Sequence, residues 1–204
     1  MMFESAILKS EYLPPISTIW GAMNAKKVWI EVNENYQKKS TRNRANILGV
    51  NGIEILSVPL RKGKNNKMPI DEVTISYEDK WQSKHLHSIK SAYGNSPYFE
   101  YYFDPLAAIL KKQHDSLLTL NRKVLEFMVE AINIEIDLLP TAKYESKYGE
   151  HDLDLRNIKF NNPDIANYKP KSYNQVFEEK HGFVSRLSLL DLLMCKGPES
   201  ILYI

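Results

Sequence analysis

The first 33 residues contain the pattern that most constrains the fold of this chain. Residues 4–9 form a short apolar run typical of a strand, and Pro14 and Pro15 precede apolar residues that recur at helical spacing from Ile16 to Met23. Residues 27–33, KVWIEVN, are β-branched and aromatic and too few for a helix. This order predicts a βαβ unit, in which two parallel strands are joined by a right-handed crossover.

The rest of the chain continues an α/β pattern. An Asn-Gly turn at 51–52 predicts a hairpin whose second strand ends near Pro59, whereas the polar residues 34–47 predict a loop or a short helix. Further strands are predicted over 70–76 and 133–139. Helices are predicted over 78–93 and 113–132, with a short one opened by Pro97 and a C-terminal one stopped by Gly197.

These elements predict a single α/β domain over residues 1–204. Its sheet is expected to be mixed and mostly parallel, opened by the βαβ unit, with helices packed around it and a helical C-terminal part. Residues 143–173 are poor in apolar side chains, and we expect them to form a long loop.

Charge and composition exclude several classes of protein. Lys and Arg number 27 against 25 Asp and Glu, a formal charge of +2, so net charge does not indicate a nucleic-acid partner. RNA contact through Lys38, Lys39, Arg42, Arg44 and the basic loop 61–67 is a weaker alternative, and strong salt dependence of binding would indicate it. No apolar stretch reaches the roughly 20 residues that cross a bilayer, and the N-terminus lacks the basic segment of a secretory signal. A cytoplasmic location is therefore expected. The single cysteine, Cys195, cannot form an internal disulfide, and no motif names a cofactor.

Polar side chains follow both strands of the predicted βαβ unit. Residues 12–15 lie between the first strand and the helix, and residues 34–44 follow the second strand, so both loops should open at the sheet edge where α/β proteins bind ligands. The helix N-terminus could hold an anion, and Arg42 and Arg44 could bind a phosphate or carboxylate through two hydrogen bonds each. The alternatives are a stiffened strand-to-helix junction and a solvated basic loop.

The segment 84–104 combines two histidines with a run of aromatic residues. His85 follows Trp81 by one helical turn and falls on the core-facing stripe, whereas His87 faces water. His85 is therefore either a buried structural histidine or a proton-transfer group. The two rings cannot share one helical face, so no metal site is predicted. The aromatic residues of 93–103 exceed what one short helix buries, and some should line a groove or contact another surface.

Several stretches together resemble the WbqC-like protein family, in the form found in Bacteroidetes-type bacteria. The resemblance runs from about residue 10 to residue 198, and many members have Gln-Pro where this chain has Lys9 and Ser10. The stretches that carry it are YLPPIS, WIEVNENYQKKSTRNRANI, NGIEILSVPL, DEVTISYEDKWQSKHLHSIKSAYGNSPYFEYYFDP and the closing YNQVF and LSLLDLLMCKGP.

The resemblance implies a role in O-antigen or other surface-polysaccharide biosynthesis, with glycyl or related acyl transfer to an amino sugar. The ligand would be a nucleotide-sugar or another anionic small molecule. His85 is predicted to take a proton from the acceptor amine, and the predicted substrate-binding residues are Tyr12, Asn35, Tyr36, Arg42, Asn43, Arg44 and Tyr93. The alternative is a non-catalytic binding or assembly factor that docks on a partner enzyme through residues 93–103.

Overall fold

The fold combines a four-stranded parallel sheet with helices that come mostly from the part of the chain after residue 80. The structure is a computed structural model that describes residues 2–63, 67–158 and 168–204. Within these residues the strands and α-helices are β1 (Phe3–Lys9), α1 (Ile16–Met23), β2 (Ala25–Glu31), β3 (Arg44–Gly49), β4 (Gly52–Ser57), α2 (Trp81–Tyr93), α3 (Phe99–Lys111), α4 (Leu117–Ala131), β5 (Leu138–Pro140), β6 (Asp152–Asp154), α5 (Glu178–His181) and α6 (Leu189–Lys196).

The βαβ unit forms the centre of the sheet. The strand order is β5-β2-β1-β6, and each neighbouring pair is parallel. Helix α1 connects β1 to β2 and lies very close to the sheet, since a Cβ atom on Gly21 would be 3.1 Å from Cδ2 of Leu153 on β6 and 2.5 Å from Cδ1 of Leu155 just after it. The predicted α/β class, the mostly parallel sheet and the opening βαβ unit are confirmed.

The Asn-Gly turn forms a hairpin, as predicted, but both of its arms are strands. β3 and β4 pair in an antiparallel two-stranded sheet, and the turn residues are Val50 and Asn51, one position earlier than predicted. Gly52 begins β4 with a φ of 104°. The prediction of a loop or short helix over 34–47 is therefore wrong for residues 44–47. A two-residue turn needs a strand on each side, and Ala45 and Ile47 supply the buried positions of the first one.

Two other strand predictions change in the structure. Residues 70–76 contain a 3-10 helix, Ile70–Glu72, and a single bridge between Leu60 and Ile75 instead of a strand. This turn buries Ile70 and Val73 together, which alternation along a strand would not do. The strand predicted over 133–139 is shortened to β5. Segment 143–173 contributes β6, and residues 159–167 within it lie outside the described part.

The helices pack around α6, which confirms a helical C-terminal part. Helix α6 packs against α1, α2, α3 and α4, and it is buried on nearly every side. Ser188 caps its first turn by accepting a hydrogen bond from the Leu190 amide at 3.1 Å. No helix in the described ranges is long and apolar enough to span a membrane.

A carboxylate lies inside this helical layer. Asp191 of α6 is 1% exposed, and its Oδ2 accepts hydrogen bonds from the Tyr173 hydroxyl at 2.7 Å and the Gln175 amide at 3.0 Å. Burial raises the pKa of Asp191 from 3.8 to about 6, although the hydroxyls of Tyr173 and Tyr93 oppose the shift. The Asp191 carboxylate is therefore ionised at neutral pH, and keeping this charge buried lowers the free energy of unfolding.

We expect Asp191→Asn to stabilise the protein increasingly as the pH rises. A carboxyl whose pKa is raised by folding favours the folded state only while it is protonated. The parent should therefore lose stability relative to the variant between pH 4 and pH 7, by about 3 kcal/mol. Urea unfolding at several pH values measures the difference. Asp104→Asn on α3, where the side chain is exposed, controls for the loss of a negative charge, and a constant difference across the range would contradict the expectation.

Candidate functional site

The carboxyl ends of the parallel strands meet at one edge of the sheet and carry charged residues there. β1 ends at Lys9, β2 at Glu31 and β6 at Asp154, and Lys9 is the register partner of Glu31. The loops after β1 and β2 also touch, since the Tyr12 amide donates to the Thr41 carbonyl at 2.9 Å. This contact agrees with the prediction that the two loops meet at one edge of the sheet.

A buried ionic cluster occupies this edge. Its members are Lys9, Glu11, Glu31, Glu34, Arg42, Asp154 and Arg156, and all but Asp154 are at most 5% exposed. Arg42 binds both carboxylate oxygens of Glu34. Arg156 joins Glu31 at 3.0 Å to Asp154 at 2.7 Å. Burying so many charges is tolerated only because each is paired.

Threonines and a main-chain carbonyl complete the pairing. Glu11 accepts hydrogen bonds from Thr18 at 2.6 Å and Thr41 at 2.5 Å, and it lies 3.4 Å from the Lys9 ammonium. Lys9 also donates to the Ile158 carbonyl at 2.6 Å. The cluster thus ties together the segments that follow β1, β2 and β6.

A polar cleft of about 590 Å³ opens beside the ionic cluster. Main-chain hydrogen bonds build one wall, because Tyr36 donates to Met68 at 2.8 Å and Ile70 donates to Glu34 at 3.0 Å. The lining side chains are all amides, phenols or charged groups: Asn33, Glu34, Asn35, Tyr36, Gln37, Lys67, Tyr144, Arg156 and Asn157.

Two cluster residues form the charged floor of the cleft. Burial raises the pKa of Glu34, although the hydrogen bond and the charge of Arg42 oppose the shift. The Arg156 guanidinium is held between the rings of Tyr144 and Tyr148, 4.8 and 4.7 Å from their centroids. Glu34 is therefore a buried carboxyl group at the cleft, and Arg156 is fixed in position beside it.

The structure brings together the predicted residues of the second loop. Asn35 and Tyr36 line the polar cleft, and the Tyr36 hydroxyl donates to Oδ1 of Asn43 at 2.9 Å. Arg42 lies beneath them, 1% exposed, with its guanidinium bound to Glu34. Arg42 therefore contributes to the cleft by holding the Glu34 side chain in place.

Arg44 begins β3 and lies beside a narrow cavity of about 20 Å³ next to Pro15 and Ser188. It is close enough to Tyr36 for its charge to lower the pKa of that phenol, against the larger raising effect of burial. Its Nε is buried and has no hydrogen-bond partner among the residues that the structure describes. Anion binding by Arg44 stays a prediction.

Tyr12 and His85 form a separate, fully internal pair. The Tyr12 hydroxyl lies 2.9 Å from Nδ1 of His85, and neither side chain is more than 6% exposed. Burial lowers the pKa of His85 to about 4, and a hydrogen bond to the Ser57 backbone opposes the shift. His85 is thus neutral at pH 7. Its predicted catalytic role stays a prediction, and it is absent from the lining of the cleft.

Tyr93 and the aromatic run 93–103 belong mostly to the helical core. Tyr93 is 0% exposed, and its hydroxyl lies near Asp191 and accepts from the Leu48 amide at 3.4 Å. Phe99 is buried as well, and Tyr101 is the member of the run that protrudes, with 71% of its surface exposed. Docking through this run stays a prediction.

The sequence reasoning missed most of the ionic cluster. Lys9 and Glu31 each follow buried apolar residues at the end of a strand, and a charge at such a position is a recognisable signal at a ligand-binding sheet edge. Asp154 ends a three-residue strand, Asp-Leu-Asp, that has no apolar run to mark it. Arg156 lies in the segment predicted as a loop, so its contact with Glu31 could not be expected from sequence. Among the described residues, no group of three His, Cys, Asp or Glu side chains could hold a metal ion.

Comparison with known proteins adds a family match to this geometry. Residues 9–162 match the WbqC-like protein family, and that range includes every residue of the ionic cluster. The uncharacterised protein Rv1507c of Mycobacterium tuberculosis is similar, at 27% identity over 150 residues. The alignment covers 73% of this chain and 64% of that protein, so the chain spans less than two thirds of the relative's length. No solved structure matches.

We expect Arg42→Met to destabilise the protein far more than the double replacement Arg42→Met with Glu34→Gln. The single change leaves Glu34 buried without its partner, which typically costs about 3–5 kcal/mol, whereas the pair of neutral residues removes both charges. Urea unfolding of the two variants and of Glu34→Gln completes a double-mutant cycle. Equal losses in the single and double variants would contradict a buried, coupled pair.

We expect His85→Asn to reduce the loss of stability in acid. A histidine whose pKa is lowered by folding favours the folded state above pH 6.5 and loses that contribution as the pH falls toward 4, by about 3 kcal/mol. The unfolding free energy of the variant relative to the parent should therefore rise between pH 7 and pH 4. His87→Asn, at an exposed position on the same helix, is the matched control. The expectation fails if both variants change alike.

Proposed function

Since the chain belongs to the WbqC-like protein family, which is associated with polysaccharide biosynthesis, we propose that it is an enzyme that modifies a sugar bound in the polar cleft. The observation that carries the proposal is the composition of the cleft at the carboxyl edge of β2. Amides and phenols line it above a buried carboxyl group with a raised pKa.

The neutral part of the lining suits a sugar ring. The amide side chains of Asn35, Gln37 and Asn157 can each donate and accept hydrogen bonds, as sugar hydroxyls do, and Asn33, whose amide nitrogen donates to Thr141, can accept. Tyr144 is 52% exposed and offers an aromatic face at the mouth. The volume of about 590 Å³ lies in the range of small-molecule sites.

The charged part of the lining suits a phosphorylated carrier. Lys67 is exposed in the cleft, and its backbone has a φ of 68°, a left-handed conformation that is uncommon for a lysine. Lys39, in the loop after β2, has a φ of 56°. Such backbone conformations concentrate at ligand sites, and the exposed ammonium group of Lys67 in the cleft supports a nucleotide-sugar as the ligand.

The finer proposal is transfer of an acyl or glycyl group to the amine of an amino sugar. The amine nitrogen attacks the carbonyl carbon of an activated acyl donor, a C–N bond forms, and the bond between that carbon and the donor's leaving group breaks. Glu34 takes the proton that the amine loses and can return it to the leaving group. Although the sequence favours His85 as the base, Glu34 is the group of the two that lines the cleft.

We expect Asn35→Ala to weaken binding of a UDP-linked amino sugar by about three- to tenfold, the value of one lost hydrogen bond. Isothermal titration of the full chain measures the affinity. Asn95→Ala, which removes an exposed amide after α2, is the matched control and should bind like the parent. Lys67→Ala should weaken binding of the nucleotide-sugar more than binding of the free sugar.

The proposed role of Glu34 as the base is tested separately, by the rate of amide formation. Glu34→Gln, assayed under conditions where its unfolding curve shows it to be folded, should still bind the UDP-linked amino sugar and should lose at least about 100-fold in the rate of amide formation, followed by mass spectrometry with a glycyl or acyl donor. A parent protein that binds no nucleotide-sugar would overturn the proposal. Full activity of Glu34→Gln would remove Glu34 as the base and leave the binding proposal intact.

A further inference from the structure

A second cavity lies on the other side of the buried ionic cluster. It has a volume of about 320 Å³ and lies between α4 and the edge formed by β2 and β5. An apolar cavity of about 150 Å³ can hold benzene, so this one has room for a larger apolar group. Its body is aliphatic, lined by Ile30, Val32, Leu118, Leu125, Leu138 and Pro140.

The cavity has a polar end formed by Ser10, Glu11 and Asn121. The Asn121 amide nitrogen donates to Oγ of Ser10 at 2.9 Å and to the Arg42 carbonyl at 2.8 Å. A carbonyl can only accept, so this contact fixes the orientation of the amide. Oδ1 of Asn121 is then a buried acceptor without a partner in the described part of the chain.

Glu11 adds a carboxylate at the same end. It accepts hydrogen bonds from Thr18 and Thr41 and meets the Lys9 ammonium, which leaves part of its capacity to accept unused. The ionic cluster as a whole holds four carboxyl groups against three cationic side chains. An added cation would therefore balance the cluster.

We propose that this cavity binds a primary aliphatic amine, with its ammonium group at Glu11 and Asn121 and its chain along the aliphatic wall. An ammonium group has three N–H donors, and the Glu11 carboxylate, Oδ1 of Asn121 and Oγ of Ser10 are three acceptors. The aliphatic wall then buries the chain, which drives binding in proportion to its length.

The mouth of the cavity carries charges that must be considered. Arg122 and Lys123 both bind Glu126, at 2.9 Å each, and these three side chains are partly exposed. A carboxylate ligand could instead be held by these two cations. Comparing an amine with an acid of equal length therefore distinguishes an anchor at the polar end from one at the mouth.

The test uses simple alkyl compounds and the full chain. Butylamine, hexylamine, hexanol and hexanoate are titrated at pH 7 and followed by NMR. Hexylamine should bind in a saturable way, about fourfold tighter for each added CH₂ while the chain stays inside the cavity, and tighter than hexanol and hexanoate. No saturable binding of hexylamine, or equal or tighter binding of hexanoate, overturns the proposal.

Two variants locate the site. Leu138→Phe places a larger side chain in the cavity and should weaken hexylamine binding at least tenfold, whereas Leu139→Phe, at the adjacent 41% exposed position of β5, should leave it unchanged. Glu11→Gln should remove the preference for hexylamine over hexanol. If Glu11→Gln does not fold, the Leu138 and Leu139 pair still decides the location. Unchanged binding in Leu138→Phe overturns the assignment of this cavity.

Discussion

The buried ion pairs at the carboxyl edge of the sheet are the constraint on which the site depends. An unpaired charge in the interior costs several kcal/mol, so each member of the ionic cluster holds its partner in place. Arg156 forms an ion pair with Glu31, which lies 125 residues earlier in the chain, and Arg42 forms one with Glu34, eight residues before Arg42. The loops after three parallel strands are therefore fixed relative to one another before any ligand arrives. A rigid floor of this kind is what a site that must orient a small molecule requires.

The same cluster separates two cavities of different character. Val32 lines the apolar cavity and Asn33, the next residue, lines the polar cleft. Arg42 contributes to both sides, since its guanidinium holds Glu34 and its carbonyl orients Asn121. A change in charge on one side therefore acts on carboxyl groups that are close to the other. The two proposed ligands would be coupled through this shared wall without touching each other.

Local patterns were sufficient to predict the central βαβ unit of the sheet, but they did not predict β6 or the partners of the buried charges. The βαβ unit follows from short-range features, namely apolar runs, a proline pair and helical spacing, and each is visible within about 30 residues. The stripe of Trp81 and His85 on α2 was predictable for the same reason. Arg42 looked like a free ligand-binding arginine because nothing in sequence shows that Glu34 is its partner. Arg156, in a stretch with no periodicity, could be recognised only by a contact across the whole fold.

The strand order has a consequence for how the chain acquires its shape. β1 and β2 are made within the first 31 residues, but both of their outer neighbours, β5 and β6, come more than 100 residues later. During synthesis β1 and β2 therefore lack their outer neighbours, and both edges of the pair stay unpaired. Glu31 likewise has no ion-pair partner until Arg156 has been made. Such long loop closures slow folding. The binding site is thus among the last parts of the molecule to exist, and a nascent chain that lacks its final quarter cannot yet form it.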